Sequence, residues 1–325
     1  MSDSKIKAAN TIDDLEELSI LASETDQESI EEEYTTFPLL QWINGNPAKK
    51  KEGGVPYTGG WFIAQTSVGD LESLPGWTKD TFITRSGVEV PGYFKRDVEF
   101  AFLLQRRHWR VTVKDGDEER VMYFPWGDYD RAKEAGKGKK PTGNVQWLVW
   151  VRDLDMLNPM VLTVKGYVSA ELTGSRSNEG VGGAFSHRVV GTINNALHAS
   201  GNPNNLPWRA FWMRVGPQTN EDGTPKFTTV GSGSNTSTVT LPALIGVKRG
   251  ATPNEVKSLY VGKDLLRKLN ELWHEERCQA WAAQWNQVQV DQPAKENEAA
   301  PRAKIADIAI DGADVADLGD ESINF

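Results

Sequence analysis

Arg106-Arg107-His108-Trp109-Arg110 is the densest run of cations and aromatic rings in this chain of 325 residues. Guanidinium groups pair well with phosphate oxygens. An indole offers a face on which any nucleobase can stack, so the run suits contact with a polyanion better than bond making. The pairing recurs along the chain. Trp42 and Trp61 flank a loop holding Lys49, Lys50, Lys51 and Tyr57, and Lys139 and Lys140 end a lysine-rich stretch. Lys165 and Tyr167 alternate with apolar residues, and Arg209 and Trp212 fall in Trp208-Arg209-Ala210-Phe211-Trp212. Tryptophan is in excess, with 12 residues. Trp147, Trp150 and Trp281 have the most apolar surroundings and are expected in the core, which leaves the cation-flanked ones as stacking candidates.

Covalent chemistry finds little support. The histidines are His108, His187, His198 and His274, and the only cysteine is Cys278. His274-Glu275-Glu276-Arg277-Cys278 has neither the spacing of a zinc-protease helix nor a second cysteine. Gly136-Lys137-Gly138-Lys139-Lys140 lacks phosphate-loop spacing, and Ser232 and Ser234 sit in no nucleophile elbow. Asp153 and Asp155 form a D-x-D pair that could take a divalent metal, although a solvated turn explains them as well. No catalytic residue, metal site or cofactor is therefore expected.

The elements that must carry these residues read as mostly β. Thr35–Ile43 is a strand pattern ended by Asn44-Gly45-Asn46-Pro47, and a second strand starts at Gly59. Residues 98–104 half-alternate, 106–113 read as strand, and Lys114-Asp115-Gly116-Asp117 turns the chain into a return strand, 120–125. Alternation puts Arg106, His108 and Arg110 on one face and Arg107, Trp109 and Val111 on the other. The glycines and Pro141 mark 130–143 as a loop. Val145–Val151 is apolar enough for a central strand. Met160–Val168 alternates, with Lys165 and Tyr167 on its wet face, and Trp208–Val215 reads as a further strand. Residues 182–200 carry a helical stripe weakened by Gly191. Thr252-Pro253-Asn254-Glu255 opens a helix, with Thr252 as N-cap and Pro253 in the first turn. From Lys263 to Gln287 a stripe of Leu and Trp, Trp285 included, forms a helix that closes the body.

Charge is unevenly distributed. Residues 1–34 hold 11 acidic residues against Lys5 and Lys7, with Ile12, Leu15, Leu18 and Leu21 at roughly helical spacing. Residues 291–325 hold 9 acidic residues against Lys295, Arg302 and Lys304. The body between them is net basic although the chain carries −9 overall. Two acidic arms flanking a basic body can compete with a polyanion for one groove.

The last residues, Asp317-Leu318-Gly319-Asp320-Glu321-Ser322-Ile323-Asn324-Phe325, are acidic, then apolar, and stop at phenylalanine. This tip, on a tether too polar to fold alone, resembles the C-terminal tip of single-stranded DNA-binding proteins, with Asn324 where proline is common in that family. The resemblance implies that Phe325 and its carboxylate fill a pocket on a partner and that Ile323 adds apolar contact. Asp317, Asp320 and Glu321 would then meet a basic rim, recruiting replication or repair proteins.

The expected fold is α+β and predominantly β: an OB-like barrel or curved antiparallel sheet with a C-terminal helix and disordered acidic ends. The expected organisation is an acidic arm (1–34), a nucleic-acid-binding body (35–290) and an acidic tail (291–325). The expected function is sequence-tolerant single-stranded DNA binding in replication, recombination or repair, in the cytoplasm, with self-association compatible. No apolar run is long enough to span a bilayer, and Met1–Asn10 has no apolar signal region. One alternative is a structural protein such as a phage-particle component, whose Trp-rich sheet packs against protein. The other is a metal-dependent DNA-processing enzyme using Asp153 and Asp155.

Overall fold

The structure, a computed structural model, describes residues 37–50, 56–68, 72–83, 89–115, 118–173, 180–230, 237–286 and 288–290. All of them belong to the second of the two compact units of the chain, Met1–Thr36 and Phe37–Phe325. The apolar spacing from Ile12 to Leu21, Lys51, and the tip residues Asp317, Asp320, Glu321, Ile323 and Phe325 lie outside the described residues.

The described unit is mixed α/β and strand-rich. Strands are numbered along the chain. Across the main sheet they run β14 (Pro242–Leu244), β11 (Met213–Pro217), β7 (Val98–Asp115), β9 (Thr142–Val151), β10 (Met160–Lys165), β1 (Leu39–Ile43), β4 (Gly60–Ala64), β6 (Glu89–Lys95) and β5 (Thr78–Ile83). Two more complete its eleven strands: β8 (Glu118–Pro125) pairs with the outer part of β7, and β15 (Gln289–Val290) pairs with β8. The ribbons β2 (Asn46–Lys50) with β3 (Pro56–Tyr57), and β12 (Thr228–Val230) with β13 (Ser237–Val239), stand apart. The sheet is curved and does not close into a barrel. It is not wholly antiparallel, because β1 and β10 run parallel, with Leu39 opposite Val161 and Gln41 opposite Thr163.

The curl has a measurable consequence. β4 and β11 are five steps apart in the sheet, which at ~4.8 Å per step is about 24 Å if the sheet were flat. Yet Trp61 Nε1 on β4 donates to the Val215 carbonyl on β11 at 2.8 Å. The Trp61 ring also meets Phe100 of β7 edge-on at 5.9 Å and Trp42 of β1 at 5.1 Å. The concave face thus encloses an aromatic core of Trp42, Trp61, Phe100 and Trp147. It is filled in by α1 (Gln65–Val68), α3 (Gly166–Thr173), α4 (Val181–Phe185), a π-helical turn (Ser186–Val190) and α5 (Gly191–Ala199), through Val68, Val168, Leu172, Phe185 and Val189. The opposite face, with Leu148, Trp150, Val161 and Trp212, is covered by α7 (Lys263–His274) and α8 (Glu276–Ala283) through Leu269, Cys278 and Trp281. β9 is therefore buried on both faces, which explains its near-continuous apolar sequence. Trp147, Trp150 and Trp281 are core residues, as expected from sequence.

Several elements differ from the sequence reading. β10 stops at Lys165 and α3 starts at Gly166, so Tyr167 is on a helix and not on a strand face. The i, i+4 pair Val168 and Leu172, both buried, favours helix there over alternation. The stretch expected as a loop holds a helix, α2 (Tyr129–Ala135), that fits ahead of the first glycine, Gly136. Asp130 in its first turn and Lys133 in its last suit the helix dipole, and Ala132 is buried against Val111 and Phe124. Trp208–Ala210 is a short 3₁₀ turn, with strand only from Met213. The C-terminal helix breaks at extended Glu275 into α7 and α8, followed by a 3₁₀ turn, Gln284–Asn286. The α6 helix (Pro253–Lys257) opens as expected, with the Thr252 N–H donating to Glu255 Oε2 at 2.7 Å in a capping box. No helix among the described residues is long and apolar enough to cross a membrane.

The core role of Trp61 is testable. Trp61→Phe removes the donor of the curl bond and opens a void. A loss of about 2–4 kcal/mol in urea unfolding is expected.

Candidate nucleic-acid interface

β7 is 18 residues long and outruns its neighbours. β11 pairs only with its first residues, up to Phe100, whereas β8 takes over from His108 to Asp115. On its other side β9 follows it from Phe100 to Arg110, with a bulge between Phe102 and Leu104. The basic-aromatic run thus lies where β7 leaves the packed body as a ribbon. The register gives the two faces the sequence predicts: Arg106, His108 and Arg110 stand opposite Gln146, Asn144 and Thr142, while Arg107 and Trp109 stand opposite Val145 and Gly143.

On the Arg107 face, Trp126 directly follows β8 and lies parallel to Trp109, with ring centroids 4.1 Å apart and planes at 11°. Trp109 Nε1 donates to the Trp126 carbonyl at 2.7 Å, which fixes the pair. Tyr129 meets Trp109 edge-on at 5.0 Å, and the Arg107 guanidinium sits 4.9 Å from the Trp126 ring. Gly143 is why the rings can lie this low. A Cβ there would come within 3.2 Å of Trp126 and 3.3 Å of Trp109. Both indoles are half-buried, and Arg107 is exposed. Exposed Lys133 on α2, and exposed Lys137, Lys139 and Lys140 in the turn leading to β9, add positive charge on this side, while Arg131 pairs with Asp128 at 3.7 Å.

The Arg106 face is covered. Arg106 lies between two indoles, 4.3 Å from Trp281 and 4.4 Å from Trp285. It donates to Gln146 Oε1 at 2.8 Å, to the Trp281 carbonyl at 3.0 Å and to Gln284 Oε1. All these partners are neutral. Burial lowers its pKa to about 9, which leaves it cationic at neutral pH. On the other side of Trp285 the His108 ring stacks at 3.6 Å and 26°, followed by Tyr123 at 4.6 Å. His108 Nε2 lies 3.1 Å from Asn144 Nδ2.

The remaining sequence candidates scatter. Trp61, Trp42 and Trp212 are 0%, 8% and 7% exposed, so none offers a ring face to a base. Their neighbouring cations reflect packing: Arg152, for example, sits 5.4 Å from the Trp212 ring. Arg209, half-buried, donates to Asn270 Oδ1 at 2.6 Å and lies 5.1 Å from Trp273, tying its turn to α7; burial lowers its pKa. Arg209 and Trp212 adjoin the Phe100 end of β7, about 30 Å along the strand from Arg110. Lys165 ends β10 opposite Asn144, and β1 beside it leads into β2, which carries Lys49 and Lys50 and pairs with β3 and Tyr57. The backbone therefore brings Lys49, Lys50, Lys165, Arg110 and the Lys139-Lys140 turn to one end of the sheet. Sequence reading missed Trp126, Tyr129 and Gly143. A partial signal was there in Pro125-Trp126-Gly127, an aromatic immediately after a strand.

Asp153 and Asp155 lie in the turn between β9 and β10, Asp153 at φ 67°. Among the described residues no group of three or more His, Cys, Asp or Glu could hold a metal. Cys278 is buried, and burial raises its thiol pKa to about 11. Comparison with protein families, curated proteins and solved structures gives no match.

The indole pair has its own signature. A parallel pair at this distance should contribute to the exciton-coupled circular dichroism band of the indoles, beside the Trp42–Trp61 pair, and that contribution is lost in Trp126→Phe and weakened in Gly143→Val. The same band unchanged in both variants would mean that the rings do not stack in solution.

Proposed function

We propose that this chain binds single-stranded nucleic acid, and DNA in particular, with little regard to sequence. The observation that carries the reading is the half-buried Trp109–Trp126 pair held flat over Gly143 and ringed by Arg107 and exposed lysines. Bases stack on the indoles, while Arg107, Arg110, Lys139 and Lys140 follow the phosphates. Stacking and charge recognise what all nucleotides share, so binding tolerates sequence. Lys49, Lys50 and Lys165 extend the track along the same end of the sheet, Tyr57 belongs to the strand that pairs with β2, and Lys51 joins the track in this reading. The curved open sheet serves in this reading as an OB-like platform rather than a closed barrel. The C-terminal tip, through Phe325, Ile323, Asp317, Asp320 and Glu321, recruits a replication or repair protein, and the acidic ends compete with DNA for the basic surface.

Oligo(dT) titration followed by tryptophan fluorescence tests this at several salt concentrations. Quenching and a Kd that weakens steeply with salt are expected. Trp109→Ala with Trp126→Ala should cost about tenfold or more in affinity, since stacking contributes about 1–3 kcal/mol per base. Binding indifferent to salt, or equal in the double variant and the native chain, refutes the proposal. Removing residues 291–325 should leave binding intact or tighter, whereas deleting only Ile323–Phe325 should abolish partner capture and leave strand binding unchanged.

A further inference from the structure

We infer that Trp285 occupies a second nucleobase slot, and that the C-terminal strap carrying it withdraws when a strand fills that slot. The inference rests on the strand-binding reading above. The slot is the space Trp285 now fills, between the His108 ring and the Arg106 guanidinium, with Tyr123 beyond His108. A planar ring held between an aromatic ring and a guanidinium is how proteins hold unstacked bases.

Two observations indicate that the site suits more than an indole. Arg106 is a buried cation whose hydrogen-bond partners are the neutral Gln146, Trp281 carbonyl and Gln284, and no carboxylate among the described residues pairs with it. A buried charge without a counter-charge is costly, and a phosphate entering beside the base would supply one. Asn144, 8% exposed and opposite His108 in the register, has no hydrogen-bond partner at Oδ1. An indole has only one N–H with which to satisfy it, whereas the exocyclic amines and ring N–H groups of bases are donors of the right kind.

The strap itself is lightly held. Trp285 lies in a three-residue 3₁₀ turn, and beyond it β15 pairs with β8 at only two positions, Gln289 with Tyr123 and Val290 with Met122. Short terminal elements of this kind open at low cost. Once β15 leaves, β8 becomes a free edge. A single strand on the Trp109–Trp126 shelf can then turn around that edge to the His108 face, because Trp109 and His108 are consecutive residues on opposite faces of β7. While the strap is closed, the slot contributes only in the fraction of molecules in which it has opened.

Two constructions test this with oligo(dT) long enough to turn the edge. Trp285→Ala removes the occupant, and its Kd should fall about threefold to tenfold below that of the native chain. Met122→Cys with Val290→Cys locks β15 to β8, since antiparallel partners lie about 4.5–5.5 Å apart, within disulfide reach. Oxidised, this variant should bind more weakly than when reduced, and the comparison is made on one folded preparation. If circular dichroism shows Trp285→Ala unfolded, the disulfide comparison decides alone. Equal affinity in the oxidised and reduced forms, or a folded Trp285→Ala that binds no tighter than the native chain, overturns the inference. The Trp109→Ala, Trp126→Ala variant separates the two readings. If it loses binding while the strap variants behave as native, only the slot fails; if the native chain itself does not bind, the strand-binding reading fails first.

Discussion

The buried hydrogen bond from Trp61 to the Val215 carbonyl holds the curl of the sheet, and the other features of the unit depend on that curl. It joins strands that would be about 24 Å apart in a flat sheet. The bond forms only if the intervening strands bend, and the aromatic rings of Trp42, Trp61, Phe100 and Trp147 supply the volume around which they do. A buried N–H left unpaired costs about 1–3 kcal/mol, so a flatter sheet that strands the Trp61 indole donor is penalised as well as the curved one rewarded. Curling makes the two faces unequal. The concave side takes the short helices α3 to α5, and the outer side takes the amphipathic α7 and α8.

That arrangement leaves β7 as the organising strand. Its first half is shared between β11 and β9 inside the body, and its second half has β8 as its partner outside it. Apolar residues, Phe100 and Phe102 among them, dominate the first half, and the arginines begin where the core ends. The same strand is therefore a structural beam at one end and a chemical surface at the other. Cation–aromatic contact is the theme on both faces of the surface end. On one face Arg107 and the Trp109–Trp126 pair are accessible, and on the other Arg106 is held between Trp281 and Trp285.

Strand alternation made the face assignment of Arg106 through Val111 legible in the sequence, because a period of two leaves no freedom once the segment is extended. The apolar run of β9 and the Thr252–Glu255 cap were legible for similarly local reasons. What local pattern could not give was the fate of individual tryptophans. Gly60-Trp61 beside a lysine loop reads the same whether the ring faces water or the core, and only the curl, a property of strands more than a hundred residues apart, decides it. The role of Trp126 was hard to read for the opposite reason. The residue stands outside any periodic segment, and its partner Trp109 is set by the hairpin register. The helix at Tyr129–Ala135 was hidden by the glycines that follow it, which end the helix without preventing it.

Charge placement completes the physical account. A chain that is net −9 repels a polyanion at long range, so any attraction must come from local concentration of the opposite sign. Register places Lys165 of β10, Arg110 of β7 and the turn before β9 at one sheet end, and β1, beside β10, leads into β2 from that end. Arginines next to indoles gain a second advantage there: the ring holds the guanidinium in place without neutralising it, so the cation is pre-positioned and keeps its full charge. A carboxylate partner would have held the arginine equally firmly and removed the attraction. Aromatic rings in place of acidic partners around Arg106 and Arg107 thus position both cations without a neutralising carboxylate.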